Sequence, residues 1–258
     1  MTRVLTRTNL HSSRLIRALA DLAVLETSGP TAAFAEKLGQ WIDFADAIRL
    51  TGVHKASTAS APKDQPAQQS IAGASLGEAF AKMRISMEAT ITKSSAPSTA
   101  RVRSELALPK LEAPLDGVKV YAPIRRYHQA HQRDMESNAR SLRAQLRDGV
   151  AKVSPQLMQL TELDAAFEGI LCEREARLLS TIPSLLEKRF HHLRKAHQQT
   201  LLATTQTDDN PDAWMQPGAW LALFCSELQA VLFAELELRL QPAVGLLEAF
   251  NSETSQHV

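Results

Sequence analysis

Along this chain, apolar residues recur every three or four positions, the spacing that puts them on one face of an α-helix. Leu10, Ile16, Leu19, Leu22 and Val24 or Leu25 mark a first helix over roughly 9–26. Thr27-Ser28-Gly29-Pro30 breaks it, and Thr31 is placed to cap a second helix over 31–51. Phe34, Leu38, Trp41, Ile42, Ala45 and Ile48 share one face of that helix. Two such helices across a short link predict an N-terminal helical hairpin over 1–52.

The pattern then lapses. Residues 53–73 are rich in Ser, Ala and Gln and lack an apolar period. Such a segment cannot bury enough surface to offset its ordering entropy, so it reads as a flexible linker. Leu76, Phe80, Met83 and Met87 restore the period in a short helix over 74–92. Residues 93–117, with Pro97, Pro109 and Pro114, form a second linker, expected to be extended and partly laid on the core.

From 118 to 258 long helical patterns follow one another. One covers 122–151. The next starts at Ser154-Pro155, a serine cap before a proline at the first helical position. Its stripe runs through Leu157, Leu160, Leu163, Phe167, Leu171, Leu178, Ile182, Leu185, Phe190 and Leu193. Pro183 must kink or break it, with Ser184 and Glu187 available as a capping box for a restart. A last helix covers 218–240, with Leu221, Cys225, Leu228, Leu232, Leu236 and Leu240 on one side, widened by Phe224, Val231 and Leu238. Pro242 is expected to stop it before a short terminal helix over 243–250. The fold class is therefore all-α: an elongated antiparallel helical bundle with an N-terminal helical hairpin and low-complexity linkers.

Charge changes this picture in one respect. The chain of 258 residues has 29 Lys+Arg and 28 Asp+Glu, a net +1 that argues for neither nucleic acid nor a membrane surface. The balance conceals segregation. Residues 119–150 carry 7 basic and 3 acidic side chains, whereas 207–258 carry 1 basic and 8 acidic ones. Such a split suggests pairing within the chain or head-to-tail between copies, so a homo-oligomer stays open. Both segments also fit solvated helix faces. No apolar run is long enough to cross a bilayer, and Arg17 and Asp21 interrupt Leu15–Leu25 too often for a secretory signal, so a cytoplasmic location is expected.

Candidate chemistry is sparse. His128 and His131 lie three apart, and Glu187 and His191 four apart, the kind of pairs from which a bundle can build a metal site. No Glu-x-x-His motif accompanies them, and exposed polar residues explain them more simply. Cys172 and Cys225 fall within apolar stripes and read as small buried hydrophobes. Arg126, Arg133, Arg140 and Arg147 recur every seventh position on one helix face, the footprint of a phosphate-binding helix or of pairing with a neighbouring acidic helix. Trp214 and Trp220 flank Pro217-Gly218 and could anchor a partner or pin a helix start. No catalytic residue, metal ligand or cofactor is predicted. The candidate interaction surface is Arg126, Arg133, Arg140, Arg147, Trp214 and Trp220.

The segments GQWIDFADAIRL (39–50), RRYHQAHQRDME (125–136), ELDAAFEGILCEREARLLSTIPSLLEKRF (162–190) and AELELRLQPAVGLLEAF (234–250) together resemble an uncharacterised proteobacterial family, domain of unknown function three-three-four-eight. The resemblance implies a cytoplasmic companion of envelope proteins, among them a peptidoglycan-binding outer-membrane-protein-A-like partner and a motor-stator-like membrane protein. It brings no catalytic motif. The expected function is that of a non-enzymatic helical adaptor with protein partners, including a membrane-anchored envelope component, and without direct membrane insertion. A nucleic-acid-associated protein and a helical-bundle metalloprotein are the alternatives.

Overall fold

A computed structural model describes residues 14–22, 44–56, 66–95, 106–111, 120–203 and 209–256. They form seven α-helices among the described residues: α1 (Arg14–Asp21), α2 (Phe44–Ala56), α3 (Pro66–Ser94), α4 (Ala122–Val150), α5 (Pro155–Leu179), α6 (Ile182–Ala203) and α7 (Trp220–Gln256). A single 3-10 turn spans Pro211–Ala213, and no strand occurs among these residues. The all-α expectation holds.

The chain divides into two compact units. One comprises Met1–Gly29, Ala89–Arg133 and Ser180–Leu238; the other comprises Pro30–Glu88, Asp134–Leu179 and Arg239–Val258. The helices α3, α4 and α7 therefore contribute to both.

The first unit has an aromatic interior. Phe190 of α6 is fully buried, with ring centroids 5.5 Å from Tyr121, 5.2 Å from Phe224 and 5.4 Å from Trp220. The tilted and edge-on geometries are those that bring a positive ring edge against a negative ring face. Leu15, Leu19 and Leu22 of the α1 segment and Leu228, Val231 and Leu232 of α7 are also buried.

The second unit is mainly aliphatic at its centre, with one aromatic ring. Val150, Val153, Leu157 and Phe250 form one cluster, with Leu76 and Leu160 packed against it. Gly149 permits this approach: a Cβ there would lie 2.6 Å from Leu76 Cδ2. Helix α2 packs against α5. The Ser154 hydroxyl accepts from the Leu157 amide at 3.2 Å, satisfying one of the free donors at the start of α5, as the serine-proline pair predicts.

Several expectations are corrected. Helix α3 starts at Pro66, not 74, so residues 66–73 are helical rather than linker. Proline at a first helical position lacks only an amide that would have no partner there. Helix α1 belongs to the first unit and α2 to the second, and the link of the expected hairpin over 1–52 lies outside the described residues. Residues 23–43, including Trp41, lie outside the described residues. The break near Pro183 occurs earlier, between Leu179 and Ile182, which puts Pro183 in the first turn of α6. Ser184 is then inside the helix, its amide donating to the Thr181 carbonyl at 3.1 Å, and forms no capping box. Pro242 does not end α7, which continues to Gln256. A helix-interior proline costs about 3 kcal/mol. Beyond it Ala243, Leu246 and Phe250 continue the buried stripe of Leu236 and Leu240, and that burial outweighs the cost. Ile16 and Leu178, assigned to apolar stripes, are exposed. Residues 106–111 are non-helical and, apart from the exposed Lys110, half-buried, and the Leu108 amide donates to the Ser94 carbonyl at 3.0 Å, as expected of a segment laid on the core.

Candidate functional site

Helix α4 concentrates the polar chemistry because one of its faces turns inward at every turn. Along that face His128 and His131 take positions equivalent to the flanking Ile124, Met135 and Leu142, and both histidines are fully buried. Each has its own partner. His128 Nε2 lies 2.7 Å from Glu235 Oε1 of α7, and the Gln132 side-chain amide donates to Glu235 Oε2 at 2.8 Å. Glu235 is fully buried too. A buried carboxylate needs donors for both oxygens, and α4 supplies them from positions one helical turn apart.

His131 belongs to a second network. Its Nε2 lies 2.9 Å from Ser94 Oγ, and the Tyr127 hydroxyl lies 2.9 Å from the same oxygen. Ser94 Oγ itself donates to the Ile91 carbonyl at 2.9 Å. With its proton committed there, the serine oxygen accepts from Tyr127 and His131. Burial pushes the Tyr127 phenol above its ordinary range against the opposing effect of the Ser94 and Ser95 hydroxyls, so it stays a donor. A histidine that donates to a serine cannot take its proton, so this arrangement ties the end of α3 to α4 rather than activating a nucleophile.

The four arginines in heptad spacing have different fates. Arg126 and Arg133 are exposed. Arg140 pairs with Glu136 on its own helix at 3.0 Å. Arg147 is mostly buried and joins Arg143 against α5: Arg143 binds Asp164 at 2.6 Å and Arg147 binds Glu168 at 2.6 Å. The cationic row is therefore met partly by acids of a neighbouring helix. The acids of α7 take other partners, Glu227 binding Arg189 at 2.6 Å and Glu237 approaching Arg14 at 3.3 Å. The Glu227 hydrogen bond raises the Arg189 pKa.

The tryptophans are corrected as candidate surface anchors. Trp214 and Trp220 are buried, with ring centroids 5.8 Å apart, and they fix the start of α7. Gly218, at φ +85°, supplies the left-handed backbone that this turn requires. His197 stacks on Trp220 and lies 3.0 Å from Asp209 Oδ1, which also accepts from Trp214 Nε1. Burial alone would raise the Asp209 pKa, but hydrogen bonds from His197 and Trp214 and the charges of His197 and Arg194 hold it below its ordinary 3.8.

The proposed metal residues have separate engagements. Glu187 forms an ion pair with Arg125 instead of meeting a histidine, and His191 is exposed beside Phe190. Among the described residues no group of three or more His, Cys, Asp or Glu is arranged to hold a metal. Both cysteines are free and half-buried. Burial pushes the Cys225 thiol up to about 11, which leaves little thiolate at neutral pH.

Among the described residues, concavities occur in both units. One of about 150 Å³ in the second unit includes Arg140, Arg143 and Arg239 facing Glu136, Glu168 and Glu175. One of about 460 Å³ beside α1 sets Arg14 and Arg17 near Asp21 and Glu227. The third, about 310 Å³, is lined by Ala107, Pro109 and Pro123 opposite Arg126, Gln129 and Arg133, with Tyr127 between. The first two set arginines against carboxylates, and the described lining of the third includes Arg126 and Arg133.

Sequence reasoning missed Glu235 and Ser94. Glu235 carried a signal, since it stands beside Leu232 and Leu236 in an otherwise leucine-rich stripe. Ser94 carried none.

No helix among the described residues is long and apolar enough to cross a membrane. No curated protein and no solved structure matches the chain. A family model does match, over residues 1–252, and the chain belongs to the family described as Protein of unknown function (DUF3348).

Proposed function

We propose that this chain is a non-enzymatic helical interaction protein, an adaptor whose partners are other proteins. The observation that carries this reading is the enclosure of its acid–base groups. His128, His131 and Glu235 have no exposed surface and are held by hydrogen bonds within the fold. A substrate would have to displace that packing to reach them. The open surface instead presents a groove with two arginines, which suits recognition of a charged partner.

The envelope-associated role implied by the sequence resemblance belongs to this reading: the adaptor would act on the cytoplasmic side, against a membrane-anchored component. Native co-purification followed by mass spectrometry tests it. Reproducible, stoichiometric recovery of a protein partner is expected. Recovery of the chain alone under mild, crosslinked conditions would overturn the proposal.

A further inference from the structure

The turn that leads into α7 brings two sulfur atoms together. Cys225 Sγ lies 4.0 Å from Met215 Sδ, the thiol donating to the thioether. Their surroundings differ. Cys225 is half-buried on α7, beside the buried Leu221, Phe224 and Leu228, whereas Met215 is 38% exposed. Met215 therefore has part of its side chain in water and its sulfur against the thiol.

The other described methionines are better protected. Met87 and Met135 are 2% and 1% exposed, and Met83 and Met158 are half-buried. Among the described residues Met215 is thus the methionine most open to a dissolved oxidant. The backbone around it is held on both sides. The Gln216 amide donates to the Ala213 carbonyl at 3.2 Å, and the Ala222 amide to the Trp214 carbonyl at 3.1 Å. A change at the Met215 sulfur is then absorbed by its own unbranched, flexible side chain.

We propose that Met215 is an oxidation site that controls access to the Cys225 thiol. The oxidant is hydrogen peroxide. The thioether sulfur attacks one peroxide oxygen, and the O–O bond breaks as the S–O bond forms. Sulfur gives up two electrons and becomes a sulfoxide, while the second oxygen leaves as water with both peroxide hydrogens. The polar sulfoxide is costly to keep against an apolar helix surface, so the side chain turns to solvent and uncovers the thiol.

The order of events follows from the state of Cys225. Burial pushes its thiol up to about 11, and the thiolate is the reactive form, so Met215 reacts first. Uncovering the sulfur lets water back and removes the cause of that shift. A thiol that falls from about 11 to its ordinary 9.0 carries ~100-fold more thiolate at neutral pH.

The test uses the full chain carrying Cys172→Ser, which leaves Cys225 as its single thiol. The protein is treated with dilute hydrogen peroxide, cleared of it with catalase, and alkylated with iodoacetamide at neutral pH. Peptide mass mapping follows both sulfurs. Met215 is expected to gain oxygen ahead of Met83 and Met158, and Cys225 alkylation to speed up roughly tenfold or more. Methionine sulfoxide reductase should restore the slow rate. Met215→Leu, which covers the thiol and cannot be oxidised, should alkylate slowly with or without peroxide. Met215→Gln, a polar stand-in, should alkylate fast without it.

Oxidation of Met83 or Met158 ahead of Met215 would overturn the proposal. So would an unchanged alkylation rate once Met215 carries the sulfoxide, or an equal response to peroxide in Met215→Leu. Thiol exposure accompanied by loss of helical circular dichroism would reflect unfolding and overturns it too.

Discussion

The two compact units use polar residues in opposite ways. In the first, the groups capable of chemistry lie inside: His128 and Gln132 hold Glu235, and Tyr127 and His131 converge on Ser94, beside an aromatic centre built on Phe190. In the second, the centre is mainly aliphatic and the polar residues form an arginine–carboxylate lattice at its margin, Arg143 and Arg147 against Asp164 and Glu168. A buried network fixes partners and orientation, since each unmet donor or acceptor there costs a desolvation penalty. A marginal lattice contributes less and is weakened by salt. The same helix, α4, serves both arrangements.

The largest expected effect probes the aromatic centre. Replacing Phe190 by Ala removes a fully buried ring with three aromatic neighbours and should destabilise by roughly 3–5 kcal/mol in urea denaturation. Glu235→Ala should follow at roughly 3 kcal/mol, because it takes the Glu235 carboxyl away from the buried His128 and the half-buried Gln132. An effect below about 1 kcal/mol would mean that water reaches the pair, and the contrast between the units would fail. Arg143→Ala, in the lattice, should cost about 1–2 kcal/mol, with the difference from wild type shrinking in high salt.

Acid unfolding sharpens the comparison further. The folded pKa of Asp209 lies below its ordinary value, so its contribution is complete above 3.8 and disappears as pH falls through the lower folded value. Asp209 is partly exposed, which keeps this below about 1 kcal/mol. Asp209→Asn should flatten the stability curve below about pH 4. The smallest effect is expected from Arg140→Ala, whose exposed pair with Glu136 should be worth within about 0.5 kcal/mol.

How much of this was legible in the sequence depends on the kind of signal involved. The stripe from Leu221 through Leu240 was readable because burial imposes a period of three to four, and Leu221, Leu228, Leu232, Leu236 and Leu240 are all buried. The Ser154 cap was readable because capping is local. Pro242 misled, since propensity is a weak prior against a stripe that resumes at Ala243, Leu246 and Phe250. Ser94 and His131 lie 37 residues apart, and no periodicity links a helix end to the face of another helix. Trp214 and Trp220 are ambiguous in the sequence, because aromatic residues near a Pro-Gly turn serve either an interface or a core equally well. Only packing distinguishes the two.

The central claim is that the interior polar groups are structural and that recognition occurs at the surface. Side-by-side partner capture by wild type, Glu235→Ala and Arg126→Gln/Arg133→Gln, each held well below its melting temperature, tests it most directly. Glu235→Ala should melt several degrees lower yet capture the same protein at wild-type yield. The double arginine variant should stay folded at the assay temperature and lose capture. Loss of capture by a fully folded Glu235→Ala, with capture intact in the arginine variant, would place function at the buried pair and contradict the account.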